Sequence, residues 1–224
     1  MGLSFHYRGR LNAAPELPKL IDEVEDICRI LNWKHLVFNV QYPDGKFISP
    51  VNDEDYGIVF TPPSCEPVCL AFDSEGKLYT PWLKELIKKQ ASGELKVISV
   101  KLNLNDSNPE PVISENNESF DPEDILYSIS VKTQNAGSET HIKVMELLRY
   151  LSEKYLAEFK ILDESHYWET RDPENLNNQM DTIHHFMDTF HDMISNEKIQ
   201  SQDDFMSFLK KLSLQIKKKD KSED

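Results

Sequence analysis

Residues 17–31 read LPKLIDEVEDICRIL, and this stretch decides the fold class. Apolar side chains at Leu17, Leu20, Ile21, Val24, Ile27, Cys28 and Leu31 draw one continuous stripe down a helix, while Asp22, Glu23, Glu25 and Asp26 fall on the other faces. Upstream, Leu3, Phe5 and Tyr7 alternate with Ser4, His6 and Arg8, the period of a strand with one buried face. Gly9 and Asn12-Ala13-Ala14-Pro15 break that run. Downstream, Asn32 stops the helix and Leu36-Val37-Phe38-Asn39-Val40 reads as a mostly buried strand ending at Pro43-Asp44-Gly45. The first 42 residues therefore predict a β-α-β unit.

The pattern returns 124 positions later. Leu20, Ile21, Val24, Ile27 and Leu31 map without a gap onto Val144, Met145, Leu148, Leu151 and Tyr155, and Val37 and Phe38 map onto Ile161 and Leu162. Leu126 to Val131 supplies the preceding strand, Gln134-Asn135-Ala136-Gly137 the break and Ser138 a helix cap. This correspondence suggests an internal duplication, although helix phase alone forces any two such units into the same alignment.

Between the units, Tyr56–Phe60 and Val68–Phe72 read as short strands, Asp73–Lys77 as a turn and Leu95–Leu102 as a further strand. Pro81 opens a short helix that Gly93 ends. Beyond the second unit, Asp172-Pro173 caps a helix with Leu176, Met180, Ile183, Met187, Phe190 and Ile194 on one face, and Ser201 caps a last helix carrying Phe205, Phe208, Leu209, Leu212 and Ile216. The expected fold is α+β: a mixed, mostly antiparallel sheet with helices on one face, two β-α-β units related by duplication, and two C-terminal helices. Residues 1–217 form one α+β domain with pseudo-repeat halves 1–102 and 125–217; residues 103–124 are an exposed loop and 218–224 a disordered tail.

The 224 residues carry 25 Lys and Arg against 39 Asp and Glu, a net charge of −14 that repels a phosphate backbone and argues against nucleic-acid binding. The basic run Lys217-Lys218-Lys219 leads into the expected tail and is followed closely by acidic residues. Three cysteines, Cys28, Cys65 and Cys69, cannot all pair, which fits a reducing cytoplasm, and no apolar run reaches the length of a membrane span. With no GxGxxG, no GxxxxGK[ST], no GxSxG and only seven glycines, a phosphate cradle of backbone amides is not expected, and no cofactor is predicted.

Three segments could carry chemistry. Asp163 to Thr170 follows a strand into a helix, with Glu164, His166 and Glu169 available for proton transfer and Tyr167 and Trp168 available to wall a ligand pocket. Cys65, in a loop stiffened by three prolines, is a candidate nucleophile if His6 or His35 lies close enough to activate it. Asp181, His184, Asp188 and His191 fall within about 80° of one another around a helix, where they could share a metal. None of these has a complete catalytic signature. The leading expectation is a non-catalytic protein-interaction or ligand-binding domain, its acidic surface suited to neutralising a basic protein partner. A small-molecule enzyme built around Glu164–Glu169 and a metal-binding helix flank are the alternatives, and the C-terminal helices could pair two copies into a homodimer.

Overall fold

The computed structural model describes residues 3–94, 99–101, 112–114 and 125–196. The chain divides into two compact units, residues 1–96 with 119–183 and residues 97–118 with 184–224. Its strands are β1 (Ser4–Leu11), β2 (Lys34–Val37), β3 (Tyr56–Thr61), β4 (Val68–Phe72), β5 (Ser99–Lys101), β6 (Val112–Ser114), β7 (Ile129–Lys132) and β8 (Leu156–Asp163). Its helices are α1 (Leu17–Leu31), α2 (Pro81–Ala91), α3 (Ser138–Tyr155), the single turn α4 (Tyr167–Thr170) and α5 (Pro173–Asn196). The class is α+β, and every pairing between these strands is antiparallel.

In the first unit β1 pairs with both β7 and β8. Those two strands are therefore parallel to each other with β1 between them, a split β-α-β around α3. A second sheet runs β2-β3-β4. The two helices expected from the apolar stripes form where the sequence places them, and each turns its stripe inward: Leu17, Leu20, Ile21, Val24 and Cys28 on α1, and Val144, Met145, Leu148, Leu151 and Tyr155 on α3, are buried. Asn32, at φ 54°, closes α1 in the left-handed conformation. Asp172 caps α5 by accepting bonds from the amides of Glu174 and Asn175, both at 3.0 Å.

The strands around these helices differ from expectation. β1 and β2, expected in one β-α-β unit, lie in separate sheets, whereas β7 and β8 flank a single strand. The 124-residue correspondence is one of helix phase, and the topology gives the duplication no support. Leu36, expected to be buried, is 61% exposed because β2 is the edge of its sheet, and Leu162 is 62% exposed on the open face of β8. Ser138 is the first residue of α3 rather than its cap; Gly137 takes that position at φ 79°, and the Ser138 hydroxyl bonds Asn177 instead. On α5, Leu176 and Met180 are buried while Met187 is exposed.

Two features join the sheets. Residues 76–79 pair with the far half of β1 (Leu11 N to Gly76 O, 2.8 Å; Leu78 N to Gly9 O, 2.9 Å) and with β4 (Tyr79 N to Ala71 O, 3.0 Å). Beside this bridge, the buried Tyr7 hydroxyl donates to Cys69 O at 2.6 Å and accepts from Cys69 N at 2.8 Å, filling the place of a missing strand neighbour. The turn behind the bridge is fixed by Asp73, whose carboxylate accepts the amides of Glu75 and Lys77, each at 2.9 Å, and the Tyr127 hydroxyl at 3.1 Å. Where β3 crosses β4, Gly57 sits at φ 109°, and a Cβ there would collide with Leu70 O, so only glycine fits.

In the second unit β5 and β6 pair, so the stretch expected as loop contains a strand at Val112–Ser114. The expected last helix at 201–216 and the tail at 218–224 lie outside the described residues. Among the described residues no helix is long and apolar enough to cross a membrane.

The Tyr7 knot makes a measurable demand. Tyr7→Phe strips the buried amide and carbonyl of Cys69 of their partner, and is expected to cost about 2–4 kcal/mol. Urea unfolding at pH 7 checks this; a loss below about 0.5 kcal/mol would show that the hydroxyl does not hold the sheets together.

Candidate functional site

The segment from Asp163 to Thr170 leaves the end of β8 and turns at once into α4. Its interior side is a sealed polar knot. Asp163, Ser165, Thr133 and His141 are all buried, with His141 on α3 and Thr133 just past β7. Thr133 Oγ1 stands 2.7 Å from His141 Nδ1, while His141 Nε2 is 3.4 Å from Asp163 Oδ2 and 3.2 Å from Ser165 Oγ. Ser165 Oγ lies 2.8 and 2.7 Å from the two oxygens of Asp163, which also accept the amides of Ser165 and Trp168, each at 3.0 Å. Burial pushes the Asp163 carboxyl upward, but the bond and charge of His141, with the Ser165 and Trp168 bonds, outweigh it and hold the pKa down at about 2.

Serine, histidine and aspartate meet here without a nucleophile. In an acyl-transfer triad the imidazole stands between hydroxyl and carboxylate, and the hydroxyl faces substrate. Here the hydroxyl is bound directly to the carboxylate and is only 1% exposed. Tyr167 and Trp168, expected to wall a pocket, close the corner instead. Tyr167 is buried with His141 edge-on to its ring, and the Arg149 guanidinium lies 4.1 Å from the Trp168 ring centre and donates to the Trp168 carbonyl at 2.6 Å.

The remaining sequence candidates are scattered. Glu164 reaches back across the sheet to accept the Ser4 amide at 2.8 Å, with His6 Nε2 3.8 Å away. His166 and Glu169 point to solvent. Cys65 lies against β7, its thiol 3.7 Å from Lys132 O, and burial followed by the neighbouring Glu66 carboxylate pushes its pKa up to about 11, opposite to the activation a thiolate nucleophile needs. Asp181, His184, Asp188 and His191 are exposed on α5, and among the described residues no group of three or more His, Cys, Asp and Glu side chains is arranged to hold a metal ion.

A site that none of these motifs signalled opens on the outer face of the β1–β8 sheet. It is an open cleft of about 490 Å³ lined by Arg8, Gly9, Arg10, Lys77, Leu78, Tyr127, Glu158 and Lys160. Strand alternation explains it. Phe5, Tyr7 and Leu11 turn inward, so His6, Arg8 and Arg10 turn outward. Arg8 stands directly opposite Lys160 in the ladder. Among the described residues neither of these two side chains makes a hydrogen bond or an ion pair, and like charges opposed across strands cost about 0.2–1 kcal/mol. The register then jumps to Arg10 opposite Ala157, a bulge in β8 that puts Glu158 at φ 53°, a left-handed conformation costing about 1 kcal/mol for a side chain of this kind. Gly9 lies over the bulge: a Cβ there would come within 3.2 Å of Phe159 Cα. Lys77 rests 5.3 Å from the Tyr127 ring centre and Arg10 donates to Glu75 O at 3.3 Å.

No family model, no curated protein and no solved structure matches the chain.

The Asp163 knot gives a pH signature. A carboxyl held near 2 when folded and near 3.9 when unfolded stabilises the fold fully above about pH 4, and that contribution is lost as the pH falls through about 2. Asp163→Asn should therefore lie well below the natural protein in stability at pH 7 and approach it at pH 2–3, measured by urea unfolding at each pH. A gap that stays constant across that range would refute the assignment.

Proposed function

We propose that this chain is a non-catalytic binding domain that takes an anionic small molecule in the cleft formed by Arg8, Arg10, Lys77 and Lys160. One observation carries the reading: a chain of net charge −14 gathers four cations around one carboxylate in a single cleft, two of them opposed and, among the described residues, without an ion pair or hydrogen bond. An anion seated between Arg8 and Lys160 offsets their repulsion, and a guanidinium offers the paired donors that carboxylate and phosphate oxygens fit. A volume of about 490 Å³ suits a metabolite.

The other readings find less support. Capture of a basic protein needs free carboxylates, yet those on α1 are largely spent internally: Glu23 on Lys154, Tyr150 and Tyr155, Glu25 and Asp26 on Arg29. For an enzyme, Glu164, His166, Glu169 and Cys65 lie outside the cleft lining, and the histidine–carboxylate–hydroxyl cluster around His141 is closed to solvent. Pairing of two copies through the C-terminal helices has nothing in the described residues to recommend it.

Thermal unfolding with inorganic pyrophosphate, at ionic strength held constant with chloride, tests the proposal. A ligand present at ten times its Kd stabilises by about 1.4 kcal/mol, raising Tm by about 4 °C. Arg8→Thr should abolish that rise while leaving the ligand-free protein as stable as the natural one or slightly more so, because the opposed charges are gone. No rise at any concentration up to 10 mM, or an undiminished rise in Arg8→Thr, overturns the reading.

A further inference from the structure

Resting on the anion-binding reading of this cleft, we infer that its ligand is a phosphorylated sugar or polyol, with Glu158 accepting hydrogen bonds from the ligand's hydroxyl groups. A site built only to hold an anion gains nothing from a carboxylate, since like charges repel. Glu158 is nonetheless, among the described residues, the only acid in the lining, set two residues along β8 from Lys160. It is held there by the bulge, at a positive φ that glycine or asparagine adopts more easily. Among the described residues it forms no ion pair or hydrogen bond, so its oxygens remain available to a ligand.

A carboxylate accepts hydrogen bonds and donates none, so the matching ligand group is a hydroxyl or an amine placed beside the anion. The aromatic in the cleft points away from a nucleotide. Lys77 lies over one face of the Tyr127 ring, the ring packs against the core and its hydroxyl bonds Asp73, so it is a poor platform for stacking a base. Leu78 is fully buried and adds little apolar wall. What the cleft presents is an acceptor at the β8 bulge with Arg8 and Lys160 to one side of it along the strands and Arg10 to the other, a setting in which a phosphate ester on a hydroxylated carbon chain can place its phosphate on the cations and a hydroxyl on Glu158.

Calorimetric titration of the full chain with orthophosphate, glucose 6-phosphate and adenosine monophosphate separates the outcomes. The natural protein should bind glucose 6-phosphate about tenfold more tightly than orthophosphate, and more tightly than the nucleotide. Glu158→Ala should bring orthophosphate and glucose 6-phosphate within about threefold of each other, by weakening glucose 6-phosphate and strengthening orthophosphate. Glu158→Gly, which suits the positive φ, repeats the measurement on an unstrained backbone. An unchanged preference in both variants, or a natural protein that favours orthophosphate or the nucleotide, overturns this inference while leaving the anion site standing. Failure of all three probes to bind the natural protein overturns both.

Discussion

The first unit depends on one hydroxyl group. Tyr7 sits at the middle of β1, the strand around which β7 and β8 assemble, and its oxygen closes the backbone of Cys69 in the other sheet. Burial and the adjacent Cys69 raise its pKa well above that of a free phenol, so the proton needed for donation stays in place at any ordinary pH. Without that contact, the outer edge of β4 would end in unpaired buried groups exactly where no strand is present to serve them. The neighbouring segment 76–79 completes the join with ordinary backbone pairing, and the Asp73 turn holds that segment at the right height. The cleft is a by-product of this arrangement: Lys77 is brought beside Arg10 because it belongs to the bridge.

The helices were legible in the sequence because an apolar stripe of period 3.6 admits one conformation and one buried face. α1 and α3 follow from it directly, and the residues Asn32 and Asp172-Pro173 separately mark the stop of α1 and the start of α5. Strand partnership was not legible. Alternation in Leu3, Phe5 and Tyr7 tells which side is buried but says nothing about which strands lie on either hand, and the first two strands went to different sheets. Leu36 misled for the same reason: an apolar residue on an edge strand looks like a core residue until its neighbours are known.

The candidate site was hidden by a related limit. Asp163 to Thr170 attracted attention because its residue types are those of catalysis, yet its acceptors and donors satisfy one another inside the corner, and the buried partners His141 and Thr133 carried no local motif. The basic cleft draws on positions near residues 8, 77, 127 and 160, and no local window contains them. Its single sequence signal is the pair Arg8 and Arg10 on the polar face of a strand, in a chain whose total charge argues the other way. The missing glycine-rich motifs argue against a cradle of backbone amides, but they have no bearing on a site built from side-chain cations.

The opposition of Arg8 and Lys160 also bears on how long the chain survives. A fold that carries unrelieved repulsion opens more often when empty, and proteases act on the opened fraction. An anion held in the cleft as proposed would lower that fraction in proportion to its occupancy, and the lifetime of the chain would then follow the supply of that anion.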